Sequence, residues 1–275
     1  ENRLALRLKA TGISSFYWYY RFILERRKTE LLILLDILTI NETSFFRNKP
    51  QMDFFKNEIL PNVIRGKEKD AQKRLRIWSA GCSTGEEPYS IAMIALEALN
   101  HSLKPSHPPL TLRGGEGGVM SVGRGSYDAW DVKIFASDIS LTAVENASKG
   151  EYDEEKVRAN VDEYYVDRYF EKEVPSDNRF RIKDETRKLV VFDLHNLKNE
   201  NGLNELDVIF CRNVMIYFDL EEQKRLIAKF YQSLNSYGYL LTGHAESLQG
   251  INPGFRFIHR NNGIAYQKIE SEAHP

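Results

Sequence analysis

Four segments of this 275-residue chain concentrate the residue types that bind and react. The run Asn41-Glu42-Thr43-Ser44-Phe45-Phe46-Arg47-Asn48 gathers polar groups around two aromatic rings in a connecting stretch, where a scaffold can present them for function. Its other reading is a pair of helix caps from Thr43 or Ser44 beside two core aromatics. From Trp78 to Ser90 an apolar run ends in the small residues Ser79-Ala80-Gly81-Cys82-Ser83-Thr84-Gly85, followed by Glu86, Glu87 and the helix-starting Pro88. Small residues let a ligand approach the backbone. The spacing is neither the dinucleotide G-x-G-x-x-G nor a G-K-[ST] phosphate loop, and Glu86 and Glu87 repel a pyrophosphate, so a cationic or neutral nucleoside fits better. A tight turn with exposed glutamates is the alternative.

The third segment, Phe135 to Ser140, places Asp138 where a nucleoside-binding α/β fold has the carboxylate that accepts both ribose hydroxyls. Asp138 can equally cap the helix that follows, in competition with Ser140. In the fourth, Asp207 to Phe218, Arg212 and Asn213 leave an apolar strand where the sheet opens for ligand, and polar groups there need partners. The plainer alternative makes Arg212 a structural ion-pair partner and Met215 to Phe218 packing residues.

These segments need elements to hold them. Leu4 and Leu8 recur at helical spacing, Arg3 and Arg7 share another face, and Gly12 can end that helix. Ser14 or Ser15 caps a second helix with Phe16, Tyr19, Tyr20 and Ile23; Thr29 caps a third; Pro50 suits the first turn of a fourth. After a charged linker from Arg65 to Arg74 the period changes. Apolar segments at 75–80, 132–137, 189–192, 208–211 and 239–242 alternate with helical patterns, which argues a parallel α/β sheet covered on both faces. Two stretches interrupt the alternation. Residues 101–131, with Pro105, Pro108, Pro109 and six glycines, read as an irregular insertion, and Phe180 to Phe192 as an antiparallel hairpin around the polar Lys183 to Arg187.

Composition narrows the function classes. Lys plus Arg at 38 against Asp plus Glu at 39 gives a net charge of -1, which does not point to nucleic acid or lipid, and 42% hydrophobic residues exclude global disorder. The most apolar stretch, Leu31 to Ile40, is too short for a membrane span of ~20 residues and too far along for a secretory signal, so cytoplasm is the expected compartment. The six histidines show no metal-ligand spacing, so no metal is expected. Cys82 and Cys211 are expected close together, reduced and buried.

Together the four segments resemble the bacterial chemotaxis-receptor glutamate O-methyltransferases, the CheR family, from Arg3 to about Gln267 and in family order. The resemblance implies a class I S-adenosylmethionine-dependent methyltransferase domain (Rossmann-like α/β, strand order 3-2-1-4-5) at 71–275. It also implies an N-terminal all-α domain at 1–70 and a small inserted antiparallel β-subdomain at about 164–191. The implied reaction carries a methyl group to glutamates on the cytoplasmic signalling helices of chemoreceptors, leaving S-adenosylhomocysteine. By position, Asn41, Thr43 and Arg47 close over the cofactor, Gly81 and Glu87 or Glu86 lie in its pocket, and Asp138 binds its ribose. Asn196 and Leu197 flank the adenine, and Arg212 and Asn213 line the site near the sulfonium.

Arg47 and Tyr217 are the residues expected to orient the reacting groups. Arg3, Arg7 and Lys9, on a basic helical face, are expected to meet the acidic receptor helices, and the enzyme to work as a monomer without nucleic acid or membrane insertion. The 101–131 insertion is longer than the family connection and is expected to leave the second strand near the ribose site. Other readings stay open: a related methyltransferase acting on another protein or a small molecule, or a catalytically silent S-adenosylmethionine-binding module.

Overall fold

Helical spacing of apolar residues organises the first part of the chain in the computed structural model, which describes residues 3–25, 29–68, 70, 73–101, 130–172, 174, 176, 178–248, 250–251 and 254–269. The first elements are α1 (Arg3–Thr11), α2 (Phe16–Glu25) and α3 (Thr29–Leu38), which bury few apolar side chains. An ionic knot joins them. The Arg7 guanidinium donates to both oxygens of the buried Glu30 carboxylate at 2.8 and 2.7 Å, and Tyr19 Oη donates to Glu30 at 2.7 Å. Arg3 donates to the Thr39 carbonyl at 2.7 Å, holding the carboxyl end of α3. Arg7, expected on the basic face of α1, is thus engaged inside the helical unit, because a buried carboxylate needs a partner cation. Lys9 remains exposed, as does Arg3.

A longer helix begins with α4 (Lys49–Phe54), passes through a π-helical turn at Phe55–Ile59 and ends as α5 (Leu60–Gly66). Pro50 sits in its first turn, where a missing N–H costs no bond. Met52, Phe55, Ile59, Leu60 and Ile64 are buried in one core with the sheet, and Phe55 meets Phe210 edge-on at 5.0 Å. Buried Gln51 donates from Nε2 to the Thr242 and Ile264 carbonyls, both at 2.9 Å. This helix packs with the sheet, unlike α1 to α3, so we propose that the separate helical unit closes before Asn41 rather than near residue 70.

The remaining elements are β1 (Lys73–Ala80), α6 (Glu86–His101), β2 (Trp130–Asp138), α7 (Leu141–Lys149), β3 (Glu151–Asp153), α8 (Glu154–Asn160), α9 (Glu163–Tyr169), β4 (Phe170–Glu171), β5 (Arg179–Ile182), α10 (Asp184–Arg187), β6 (Val190–Leu194), β7 (Leu206–Cys211), α11 (Leu220–Ser233), β8 (Leu234–Thr242), β9 (Phe255–Arg260) and β10 (Gly263–Lys268). The large sheet runs β6-β2-β1-β7-β8-β10-β9. Its first five strands are parallel, which is the expected 3-2-1-4-5 order, and β10 is antiparallel to both neighbours. Strand β7 is buried throughout, as a parallel strand covered on both faces must be. Because β1 and β2 pair in register from Lys73 with Trp130 to Ala80 with Ser137, the loops after them open at one edge. Cys82 and Cys211 are buried free thiols, and burial pushes both well above their ordinary pKa.

One expectation is corrected. Lys183 to Arg187 does not turn a hairpin. The Lys183 carbonyl accepts the Thr186 and Arg187 amides, Thr186 is buried, and the run folds as α10. Strand β5 stays in a small antiparallel sheet, β3-β5-β4, while β6 joins the large sheet beside β2. That small sheet takes its first strand from Glu151–Asp153, so we propose 151–182 as the inserted unit in place of 164–191. The Pro/Gly-rich stretch falls at 102–129, outside the described residues. Strand β2 carries the chain from Trp130 to Asp138, about 26 Å at ~3.3 Å per residue. Trp130, the first described residue after that stretch, opens β2 at the end away from Asp138.

Candidate functional site

At the carboxyl edge of the parallel strands the loops after β1, β2, β6 and β7 converge beneath the segment 41–48 around a cavity of about 700 Å³. Its wall includes Asn41, Thr43 and Arg47 from above, Gly81 and Glu87 after β1, and Asp138 at the end of β2. Asn196 and Leu197 enter after β6, and Arg212, Asn213 and Tyr217 after β7. Glu86 is not in that wall. Its side chain is fully buried, accepts from Thr84 Oγ1 at 2.7 Å and pairs with Lys156 of α8, so it ties the start of α6 to the inserted unit. A hollow of about 750 Å³ lies at the opposite edge of the sheet. Its buried Asp207 is already engaged by Lys67 at 2.6 Å, the Arg76 amide at 2.9 Å and Asn235 at 2.7 Å.

Asp138 closes the floor. One carboxylate oxygen accepts the Ser83 amide at 2.8 Å and the other the Ser140 amide at 3.0 Å. It does not cap α7: Ser140 does, accepting the Ala143 amide at 3.1 Å. The carboxylate thus keeps lone pairs for a ligand, since each oxygen has two. Burial pushes its pKa above the usual carboxylate range, against the backbone amides, which lower it. Gly81 has φ 93, and a Cβ there would lie 2.3 Å from Val214 Cγ2, so its bareness lets the loop after β7 close as well as opening the floor.

Arg212 is 7% exposed and ties the roof to the floor. It donates to Glu87 at 3.1 Å and to the Arg47 carbonyl at 2.7 Å, while Ser79 Oγ donates to the other Glu87 oxygen at 2.8 Å. The 41–48 segment is fixed at further points. Its Phe46 amide donates to Ser90 Oγ at 3.0 Å, Asn41 donates to Ser140 Oγ at 3.3 Å, and Arg47 Nη1 donates to the Glu42 carbonyl at 2.8 Å. Phe45 is buried edge-on against Tyr152 and Phe170 of the inserted unit, at 4.8 and 5.4 Å between ring centroids. Phe45→Ala is expected to cost about 3 kcal/mol of stability through the cavity it leaves, measurable as a lowered urea midpoint.

Three polar atoms of residues in the cavity wall, Ser83 Oγ, His195 Nε2 and Arg212 Nε, are buried without a hydrogen-bond partner. Burial, with Lys229 adding to it, holds His195 below its ordinary pKa, so the imidazole is neutral at pH 7. Tyr217 stands at the rim with 65% of its surface exposed. The residue that sequence reading missed is Glu246, whose buried carboxylate lies under the Asn213 to Met215 backbone. Its one signal was a carboxylate four residues after an apolar strand, at Thr242-Gly243-His244-Ala245-Glu246. The wall as a whole offers acceptors at Asp138 and Glu87, a neutral imidazole and unpaired donors, a set suited to a polar nucleoside carrying positive charge.

Comparison with known proteins agrees with that chemistry. Residues 41–106 and 120–264 match the family profile described as CheR methyltransferase, SAM binding domain. The chain is 35% identical over 261 residues to a chemotaxis protein methyltransferase of Borreliella burgdorferi, covering 94% of this chain and 82% of that one. It is 31% identical over 272 residues to chemotaxis protein methyltransferase 2 of Vibrio cholerae, covering 98% and 84%. To a chemotaxis protein methyltransferase of Vibrio parahaemolyticus it is 34% identical over 269 residues, covering 97% and 87%.

Proposed function

The chain belongs to the CheR methyltransferase family, and from that premise we propose that it methylates glutamate side chains on the cytoplasmic signalling helices of bacterial chemoreceptors, giving γ-glutamyl methyl esters. S-adenosylmethionine is the cofactor, and when bound it supplies a methyl group activated on a sulfonium. The residues present fit it. Asp138 has lone pairs for the ribose hydroxyls, the orphaned Ser83 Oγ and His195 Nε2 offer further polar contacts, and the carboxylates of Asp138 and Glu87 suit a cation.

The observation that carries the reading is the enclosure of this acidic floor by an arginine and a tyrosine in one wall, Arg47 above and Tyr217 at the rim. Asp138 binds the ribose, Asn196 and Leu197 flank the adenine, and Asn41 and Thr43 close the roof. Asn213 faces the sulfonium end, with Arg212 holding roof and floor together. A substrate glutamate, with a reference pKa of ~4.3, is already ionised at neutral pH, so no general base is required. What remains is alignment of oxygen, carbon and sulfur, for which attack geometry can supply ~7 to 11 kcal/mol. Arg47 and Tyr217 orient the carboxylate. Arg47 is partly engaged with the Glu42 carbonyl, so it positions the nucleophile without neutralising it fully, and the oxygen keeps its reactivity.

Arg47→Ala is expected to lower turnover by roughly tenfold to a hundredfold with a smaller change in donor affinity. Steady-state methylation beside calorimetric binding of S-adenosylhomocysteine checks it, and intact turnover removes the assignment. Arg3 and Lys9 contribute the receptor contact, with Arg7 as internal support. The substrate is tested by supplying labelled donor and receptor-containing membranes: base-labile label mapped to glutamate supports the reading, and base-stable label or label on another residue type sinks it.

A further inference from the structure

Glu246 follows β8 in a tight turn, and its carboxylate is buried beneath the segment from Arg212 to Phe218. One oxygen accepts the amides of Val214 and Met215, each at 2.8 Å. The other accepts those of Asn213 at 2.8 Å and Gly243 at 2.6 Å. Hydrogen bonds to an ionised acceptor are about twice as strong as neutral ones, and here four backbone donors converge on one anion. Asn213 has φ 60, a left-handed conformation that asparagine adopts more readily than other non-glycine residues but that still has to be held by its surroundings to persist as a single state. The converging amides supply that hold, as in a backbone anion nest.

Gly243 gives an independent sign of the same fit. A Cβ there would lie 2.7 Å from Glu246 Oε2 and 3.0 Å from the Asn213 nitrogen, so the carboxylate and the loop occupy the space of any side chain. On the other side Gln223 of α11 donates to the Met215 and Phe218 carbonyls at 3.1 and 3.0 Å. The backbone between Asn213 and Phe218 is thus gripped through its N–H groups by an anion and through its carbonyls by an amide.

We propose that Glu246 is a positioning residue for methyl transfer: it fixes the backbone that aims Asn213 and Tyr217 at the donor cavity without lining that cavity itself. The proposal rests on the roles assigned to those two residues under the proposed function. Glu246→Gln keeps the size but turns an NH2 group toward N–H donors. Gly243→Ala keeps the charge but fills the carboxylate's place.

Both variants are tested for folding by circular dichroism, then for amide exchange, donor binding and methyl transfer. The expected result is faster exchange of the Asn213, Val214 and Met215 amides, a kcat lowered by ~10²-fold, and S-adenosylhomocysteine affinity held within roughly tenfold. Adding Tyr217→Phe to Glu246→Gln is expected to lower kcat by less than about twofold more, because the two act as one unit. Unchanged exchange, unchanged kcat, or affinity and kcat falling in equal proportion overturns the proposal. If one variant fails to fold, the other carries the same readouts. If the wild type leaves receptor glutamates unmethylated, the functional reading fails, while the exchange result still decides whether Glu246 holds the loop.

Discussion

Replacing Asp138 with alanine is expected to weaken S-adenosylmethionine binding by about 10³-fold, the loss for two hydrogen bonds to a charged acceptor at ~1.5 to 3 kcal/mol each. Two contributions act together. The ligand loses its partner for the ribose hydroxyls, and the Ser83 and Ser140 amides lose the acceptor that shapes the floor at 2.8 and 3.0 Å. Asp138→Asn should fare little better, since its NH2 group must face one of those N–H donors. The pH dependence separates binding from scaffold. Burial raises the Asp138 pKa in the folded protein, so acidification protonates it before it protonates an ordinary aspartate, and donor affinity falls there. Stability moves the other way. The folded state holds this proton more tightly than the unfolded chain, so the contribution of Asp138 to stability is present below the unfolded pKa and is lost as pH rises through the folded one. Binding and unfolding measured across that window should slope in opposite directions, and parallel slopes contradict the assignment.

Arg212→Ala is the second large effect, a destabilisation of about 3 to 5 kcal/mol together with loss of donor binding. The cost comes from what is left behind. Glu87 keeps Ser79 but loses its cation in a wall where the two side chains are only 12% and 4% exposed, and the Arg47 carbonyl loses its donor. For a domain of this size the melting temperature should fall on the order of 10 °C. Arg212→Lys is not conservative, because one ammonium cannot reproduce a planar fork reaching both Glu87 and a carbonyl of the roof. A melting temperature within about 2 °C of wild type, which is less than ~1 kcal/mol, would show that the pair carries little energy.

Much of the site was legible because its residues stand at strand ends, and strand ends follow from the apolar segments. The strands carrying Ala80, Asp138 and Cys211 were each anticipated within a few residues, and their parallel order brings Glu87, Asp138 and Arg212 to one edge. Local chemistry was ambiguous where two residues could serve one role. Asp138 and Ser140 both suit a helix cap, and only the hydrogen bond from Ala143 to Ser140 assigns it. Pairings across long sequence separations were not legible. Nothing near Arg7 foretells Glu30, and nothing near Asn213 foretells Glu246, because a buried charge is matched by whichever element the fold brings beside it. The polar run after Ile182 misled for a related reason: turn-like composition also suits a single helical turn, and strand pairing is decided by the neighbouring sheet.

A crystal structure with S-adenosylhomocysteine tests the central claim most directly. The account predicts the ribose hydroxyls on the Asp138 carboxylate, the adenine beside Asn196 and Leu197, and the sulfur turned toward Arg47, Asn213 and Tyr217. A ligand seated elsewhere, or bound in this cavity with Asp138 and Arg47 directed away from it, would contradict the account.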